Sequence, residues 1–480
     1  MLERRDWVTP TLGGTAWLEK PPLYYWQAMV AYTIFGVSDW AARLPSAIDA
    51  TALVFAVYWF LRRFRVGLAI DGALALTSCA AIVGFARAAS TDMPLAATFG
   101  IALLAWYAWF ESGSRPFLAG FYVFLALAML AKGPVAPFLA VAIVGIFAAT
   151  QRSWQVIWKT LWLPGILLFC IVALPWYVLV QIRNPQFFRV FIWEHNLARF
   201  GTNVFHHPEP FWYYLPVTLV GWLPWTVFVG ASLVWAVRKL RQRGVDALNI
   251  SLLIWIVVVG AFFSISKSKL PGYILPAITP GILLLASYLR EKIISRPHPV
   301  LVVLHAVSTA SIVFAALLLR YTLLQHRFIW NAAITTPLVA AIVIAAVIVI
   351  FLFKTGFAGL RMATLVPAVV ALAVAIRFGT QPLNDQFSAR AVSDALAQVS
   401  PRNLPVAVVL VSRELEFGLQ FYRNQPIPRY EINQAPTGEH LVVAREGFQK
   451  AFARDVPGRK IVPLGNFPEQ KLEFFYVPGR

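Results

Sequence analysis

Long apolar runs alternate with short polar loops along the first 380 residues of the chain. A membrane-spanning helix needs about 20 mostly apolar residues. By that measure twelve segments are predicted to span: 41–61, 66–86, 93–110, 117–131, 134–149, 160–181, 211–236, 247–264, 270–289, 299–320, 332–353 and 357–378. The pair 117–131 and 134–149 is short, and the interruption Ala131-Lys132-Gly133-Pro134 between them marks a tight hairpin. Beyond about residue 380 the pattern changes. Ala389–Val399 and Glu414–Arg423 have helical periodicity, while Pro405–Ser412, Leu441–Ala444, Lys460–Pro463 and Glu473–Val477 look like short strands. The predicted organisation is an outer segment at 1–40 with an interfacial helix, a helical membrane domain at 41–379, and a small extracytoplasmic α/β domain at 380–480.

Composition supports a polytopic membrane protein and excludes a soluble enzyme. Hydrophobic residues make up 59% of the chain and charged residues 13%, and mean hydropathy is +0.67, whereas a soluble domain is about 25% charged. The formal charge of +19, from 41 Lys plus Arg against 22 Asp plus Glu, would suggest nucleic acid in a soluble chain. Here the basic residues fall in alternate loops: Arg62, Arg63 and Arg65; Arg115; Arg152 and Lys159; Arg238, Lys239, Arg241 and Arg243; Arg290, Lys292 and Arg296; Lys354 and Arg361. The positive-inside rule puts those loops in the cytoplasm, so no nucleic-acid partner is expected. Segments 1–40, 87–92, 182–210, 265–269, 321–331 and the tail then face outward. Cys79 and Cys170 lie in apolar runs and read as packing residues.

The outward placement of 1–40 requires something to carry it across the membrane. Met1-Leu2-Glu3-Arg4-Arg5-Asp6-Trp7 has no apolar core and is no signal peptide. The expectation is that a first membrane helix precedes Met1 in a longer protein.

The outer segments hold the candidate chemistry. Trp17-Leu18-Glu19-Lys20-Pro21-Pro22 precedes an aromatic amphipathic helix at about 23–36, suited to the interface plane. Ser90-Thr91-Asp92-Met93-Pro94 puts a carboxylate at a helix mouth, where it is used, paired or an ordinary N-cap. Trp193-Glu194-His195-Asn196-Leu197-Ala198-Arg199 spaces His195 and Arg199 four apart, on one helical face suited to an anion; the competing reading is local pairing of Glu194 with a cation. His206-His207-Pro208-Glu209 matches no strong metal spacing. Ser266-Lys267-Ser268-Lys269-Leu270-Pro271-Gly272-Tyr273 places two lysines on the outside, against the usual charge bias, and lysines beside a tyrosine suit a phosphate headgroup. Lys20, Arg199, Lys267 and Lys269 with Asp92 in an aromatic surround fit sugar transfer from a lipid-linked phosphate. The charge of a polyprenyl phosphate leaving group is held electrostatically. A hydroxyl acceptor needs a carboxylate base, and a phosphate acceptor does not.

The ordered string RDWVTP, LEKPPLYYW, AARLPSA, STDMP, AKGP, WEHNLARF, HHPEPFWYY and SKSKLPGYILP, spread over about residues 1–290, resembles the bacterial GT-C glycosyltransferases. In particular it resembles the aminoarabinose transferase and protein O-mannosyltransferase-like family. The resemblance implies an all-α, GT-C-like polytopic bundle and an inverting transferase. It implies an undecaprenyl-phosphate sugar donor used on the outer face of the inner membrane, and a lipid A-like, glycan or protein acceptor. Lys20, Arg199 and Tyr273 match positions that hold the donor phosphate. Glu19 and His195 match positions near the sugar that are also candidate ligands for a divalent metal, the one cofactor suggested. Asp92 matches the family's second acidic position and is the catalytic candidate. The family's principal acidic motif follows a first membrane helix, so this chain begins just beyond it; the resemblance implies a transferase and leaves truncation with loss of activity as the open alternative. The alternatives are a twelve-helix secondary transporter, disfavoured because no internal repeat is visible and most charges lie at helix ends, Asp49 being an exception, and a non-catalytic receptor or assembly factor with a sensing tail.

Overall fold

In lipid an apolar run has no hydrogen-bond partner except its own backbone, so it closes as a helix. The computed structural model describes residues 1–64, 69–198, 201, 209–242, 246–324, 332–400, 404–432, 435–448 and 458–479. Each of the twelve segments predicted to span is mainly helical where described, with breaks inside 66–86, 160–181 and 211–236. Among the described residues, eight helices are long and apolar enough to cross a membrane, or ten if each of two bent pairs is one span. The shorter count has two sources. Val135–Thr150 is too short to qualify, and Ala332–Thr355 and Leu360–Phe387 run together through a 3-10 turn at Gly356–Gly359. The protein is a multi-pass membrane protein.

After a small hairpin of β1 (Thr11–Leu12) and β2 (Thr15–Ala16), the helices are α1 (Leu23–Phe35), α2 (Asp39–Phe64), α3 (Ala69–Ser78), α4 (Ala80–Ala86), α5 (Asp92–Ser112), α6 (Arg115–Lys132), α7 (Val135–Thr150), α8 (Gln155–Thr160) and α9 (Leu163–Arg183). A π-helix at Arg189–Ala198 follows. Later come Tyr214–Gly221, Thr226–Arg241, Ala247–Ile265, a 3-10 turn at Pro271–Ala277 and Ile278–Lys292. Two spans form the centre: the apolar windows of α5 and of Pro271–Lys292 are 83% and 94% buried, against at most 44% for the other spans. Trp106, Phe110 and Phe147 pack edge to face or stacked around α5, the geometry that ring quadrupoles favour.

The two bent pairs meet at their breaks. α3 and α4 turn through 63° at Cys79, and Tyr214–Gly221 turns through 114° into Thr226–Arg241. The Ala80 amide donates to the Leu223 carbonyl at 2.8 Å, and Trp225 Nε1 donates to Ser78 Oγ at 2.8 Å. The Ala80–Leu223 bond thus satisfies one backbone group freed by each break, the condition for irregular backbone at membrane depth.

The chain divides into two compact units, Met1–Thr11 with Ala16–Ile312 and Ala341–Ala368, and Leu12–Thr15 with Val313–Ala340 and Val369–Arg480. In the second, β3 (Val406–Val409), β4 (His440–Arg445), β5 (Val462–Phe467) and β6 (Leu472–Val477) form a sheet ordered β3-β4-β6-β5, with only the β3–β4 pair parallel. The amphipathic helices Ala389–Val399 and Arg413–Arg423 are N-capped by Ser388 and Ser412 and bury Val392, Leu396, Leu415 and Leu419 against one sheet face. Every strand and helix expected in the tail is present, each end within four residues of the expected one.

The first eleven residues are fixed to α9. Asp6 accepts from the Val8 and Thr9 amides and from Arg183 at 3.0 Å, Trp176 Nε1 donates to the Val8 carbonyl, and Asn184 donates to Thr9 Oγ1. Burial raises the Asp6 carboxyl, but the two amides and the Arg183 and Arg4 cations outweigh it and hold the group below its ordinary value of 3.8. A depressed carboxylate stabilises the folded state above the unfolded pKa, and that contribution disappears as pH falls through the folded value. Protease cleavage within residues 1–11 is expected to accelerate below about pH 4 in the parent protein. In Asp6→Asn it is expected to be fast already at neutral pH and nearly flat across the same range.

Candidate functional site

Four of the segments predicted to face outward converge at one end of the bundle. They are the Glu19-Lys20 turn before α1, the start of α5, the π-helix after α9, and residues 266–273 after Ala247–Ile265. The first, third and fourth of these, with the α6–α7 connection and the end of Ala247–Ile265, line a cavity of about 400 Å³, within the usual range for a small-ligand site of about 300–1,000 Å³. Its polar lining is Glu19, Lys20, Lys132, His195, Asn196, Ser266, Ser268 and Tyr273, and its apolar lining includes Pro134, Val135, Phe138, Phe262 and Phe263. Charged and apolar side chains share its lining, which suits an amphiphile with an anionic head.

The electrostatic centre is Lys132, the last residue of α6. Its ammonium makes a close salt bridge to Asp92, the first residue of α5, and lies 4.3 Å from the centroid of the Tyr273 ring. Cation–π attraction and the ion pair together fix the lysine. Gly272 makes this possible: a Cβ there would stand 2.6–2.8 Å from the Asp92 carboxylate atoms. Asp92 therefore lies behind Lys132, against the Gly272 backbone, and is not among the cavity-lining residues. The N-cap reading is not realised, since Thr91 is the N-cap, without a side-chain bond, and Asp92 begins the helix.

Gly133 and the π-helix are similarly interdependent. Gly133 has φ +99°, and a Cβ would meet the Phe191 ring at 2.6 Å. Phe191 stacks on Phe187 and packs against Tyr177, whose hydroxyl donates to the Met129 carbonyl at 2.9 Å. This aromatic wedge sets the α6–α7 connection against the π-helix and brings Lys132 and His195 to the same cavity. His195 Nδ1 is 3.6 Å from Glu19 Oε2. Burial, with the Glu19 carboxylate beside it, pushes the Tyr25 phenol up to about 12, opposed by its hydrogen bond to Trp17. Tyr25 thus stays neutral next to the Glu19 carboxylate. Lys20 Nζ donates to the Glu19 carbonyl at 3.3 Å and lines the cavity.

The structure thus brings Glu19, Lys20, His195 and Tyr273 together, with Asp92 one side chain behind. It does not bring Lys267 or Lys269 into the lining. Lys267 is exposed. Lys269 is buried and donates to the Glu209 carbonyl at 3.0 Å and to the Ser266 carbonyl; burial lowers its pKa, with Glu209 opposing. It fixes the loop that presents Ser266 and Ser268. Arg199 and the His206-His207 pair lie outside the described residues. Glu194 pairs at 3.5 Å with Arg189 on the surface, as the local reading had it. Lys132 is the residue that sequence reasoning left without a role. Its signal was present as the one charge within an apolar stretch from 117 to 149, a pattern that marks function in a membrane.

Glu19 and His195 are the candidate metal ligands. Among the described residues no group of three or more His, Cys, Asp or Glu is placed to hold a metal. Two side chains fall short of the three protein ligands of a catalytic zinc site, so the described residues do not by themselves make a resident metal centre.

Residues 19–178 match the family model described as dolichyl-phosphate-mannose-protein mannosyltransferase. The undecaprenyl phosphate-α-4-amino-4-deoxy-L-arabinose arabinosyl transferase of Erwinia tasmaniensis is 31% identical over 297 residues, covering 60% of this chain and 52% of that protein. The Pseudomonas aeruginosa (strain UCBPP-PA14) enzyme of the same name is 32% identical over 305 residues, covering 61% and 54%. The chain therefore matches about half the length of these curated relatives. The crystal structure of ArnT from Cupriavidus metallidurans bound to undecaprenyl phosphate superposes with a TM-score of 0.81 at 21% identity, over 99% of this chain and 91% of that one. Its apo form gives 0.75. The shared architecture is the GT-C fold.

The Asp92–Lys132 pair is expected to be a structural coupling. With the two side chains 20% and 11% exposed, Lys132→Met is expected to cost about 1–3 kcal/mol, between the exposed-pair and buried-pair ranges. Asp92→Asn in the same chain should recover part of that loss. Thermal unfolding of the four-member cycle in detergent checks it; additive losses would mean that the two residues are not coupled.

Proposed function

We propose that this chain, a GT-C membrane protein of the aminoarabinose transferase family, transfers a sugar from a polyprenyl-phosphate donor to an acceptor at the non-cytoplasmic face of the inner membrane. The observation that carries the reading is the cavity whose lining combines Lys20, Lys132 and Tyr273 with Phe138, Phe262 and Phe263. The two ammonium groups suit the donor phosphate and the Phe138, Phe262 and Phe263 side the first isoprene units. The names of the relatives point to undecaprenyl phosphate and 4-amino-4-deoxy-L-arabinose. The acceptor is lipid A-like, another glycan or protein.

In the proposed reaction an acceptor oxygen attacks the anomeric carbon from the face opposite the phosphate. The new C–O bond forms as the anomeric carbon–phosphate oxygen bond breaks, and its electron pair leaves with the phosphate. Charge therefore grows on the phosphate as the transition state is reached. Lys20 and Lys132 are already in place to meet it, the preorganised arrangement that accelerates such steps. Asp92 is a positioning residue in this scheme, because it sets Lys132 rather than facing the cavity. Arg199 and Tyr273 remain proposed donor-phosphate contacts, and Glu19 and His195 proposed sugar contacts; Lys267 and Lys269 lie outside the lining and are given no contact in this scheme. A phosphate acceptor attacks without a base. For a hydroxyl acceptor, Glu19 is the one carboxylate among the described cavity-lining residues, and it is the proposed proton acceptor. No step passes through a metal.

Two measurements test the reading, both on the full chain in proteoliposomes with undecaprenyl-phosphate aminoarabinose as donor and lipid A as acceptor. Lys20→Ala is expected to lower kcat/KM by about 100-fold, the scale for losing one preorganised charge-stabilising donor. Transfer undiminished by the substitution would remove the phosphate assignment, and solute uptake without transfer would establish a transporter. Transfer is also expected to survive a divalent-metal chelator. Loss on chelation with recovery on one added cation would make Glu19 and His195 part of a metal site.

A further inference from the structure

A second pocket lies at the opposite end of the α5–α6 hairpin. α5 has 21 residues, so at 1.5 Å per residue its ends are about 30 Å apart, one hydrocarbon thickness. Asp92 and Lys132 meet at one end, and the Gly113-Ser114 turn lies at the other. Around that turn, Trp109, Arg115, Ser153, Gln155 and Lys159 line a cavity of about 450 Å³. Arg115 is steadied by the Trp162 ring, 5.5 Å from its guanidinium carbon. The one acidic neighbour on the turn is Glu111, exposed in the last helical turn of α5.

The element that closes this pocket has two unlike faces. α8 is anchored through Thr160, whose hydroxyl accepts from Trp106 Nε1 at 3.1 Å and whose carbonyl accepts from the Tyr122 hydroxyl. Its other face leaves Trp154, Trp158 and Leu161 64%, 73% and 53% exposed. These are spaced at i, i+4 and i+7, one stripe along the helix and the turn that follows. Tryptophan in such a stripe belongs at the boundary between headgroups and acyl chains. Cations and hydrogen-bonding side chains therefore sit in the pocket while an apolar stripe enters the adjoining lipid.

We propose that this pocket holds an anionic phospholipid of the cytoplasmic leaflet. Arg115 and Lys159 take the phosphate, Ser153 and Gln155 reach the headgroup hydroxyls, and the Trp154–Leu161 stripe lies among the acyl chains. Basic pockets between membrane helices on this side are suited to such headgroups. The site is separate from the transfer reaction, and its test does not depend on that reaction.

Native mass spectrometry of the full chain in detergent, titrated with phosphatidylglycerol or with phosphatidylcholine of the same acyl chains, reads the proposal directly. Phosphatidylglycerol is expected to bind about tenfold more tightly. Arg115→Gln with Lys159→Gln should abolish the preference while elution and melting stay unchanged, since both side chains are exposed. Lys159→Arg should keep it. Equal binding of the two lipids by the parent chain, or a preference that survives the double substitution, would overturn the proposal. Complete displacement of phosphatidylglycerol by inorganic phosphate would overturn it too, by making this a soluble-anion site.

Discussion

The charged pair between Lys132 and Asp92 is the constraint around which the site is arranged. A carboxylate and an ammonium at a membrane helix end are costly singly and tolerable together. Pairing them at the open end of α5 and α6 fixes the register of these two helices. The same lysine lies over Tyr273, which ties the 3-10 turn at Pro271–Ala277 to the hairpin. The most buried spans of the bundle, α5 and Pro271–Lys292, therefore meet directly behind the cavity, where Asp92 rests on Gly272. Stability and binding draw on the same groups.

Two glycines allow that concentration of charge. Gly272 lets a carboxylate rest on bare backbone, and Gly133 turns with positive φ directly over Phe191. Neither contributes a side chain to the cavity. Each removes a methyl group that would push a functional residue out of place by an ångström or more, enough to disturb a preorganised site. The π-helix has a related part, since it carries His195 towards Glu19 while Phe187 and Phe191 pack beneath it.

Much of this was legible in the chain. The apolar runs located the helices because a membrane enforces hydrogen-bonded regularity, and the loop charges separated the two ends. The tail was legible because alternation and helical periodicity are strong in segments that fold on a small core, such as Val406–Val409 and Arg413–Arg423. The ordered motifs gathered Glu19, Lys20, His195 and Tyr273 into one group, and the cavity holds all four. What was not legible is which charges face inward. Lys267 and Lys269 differ by two positions, yet one points to solvent and the other is buried on carbonyls. Asp92 sits in a conspicuous motif, but its carboxylate is directed at Lys132 by a contact forty residues away along the chain. Periodicity reports faces of helices, and such decisions are made by tertiary neighbours. The breaks at Cys79 and around Trp222 to Trp225 were hidden for the same reason: each segment is apolar throughout, and only the Ala80–Leu223 bond shows why both bend.

The length of the α5–α6 hairpin has a further consequence. Its 21- and 18-residue helices match a bilayer of ordinary thickness, and they are joined at one end by a two-residue turn and at the other by an ion pair. Such a unit has little freedom to stretch. In a thicker or thinner membrane it accommodates by tilting, or the lipids deform around it, at fractions of a kcal/mol per Å. Lipid thickness is thereby converted into the angle at which the Lys132 ammonium meets its cavity, so the acyl-chain length of the host membrane becomes a geometric variable of the site.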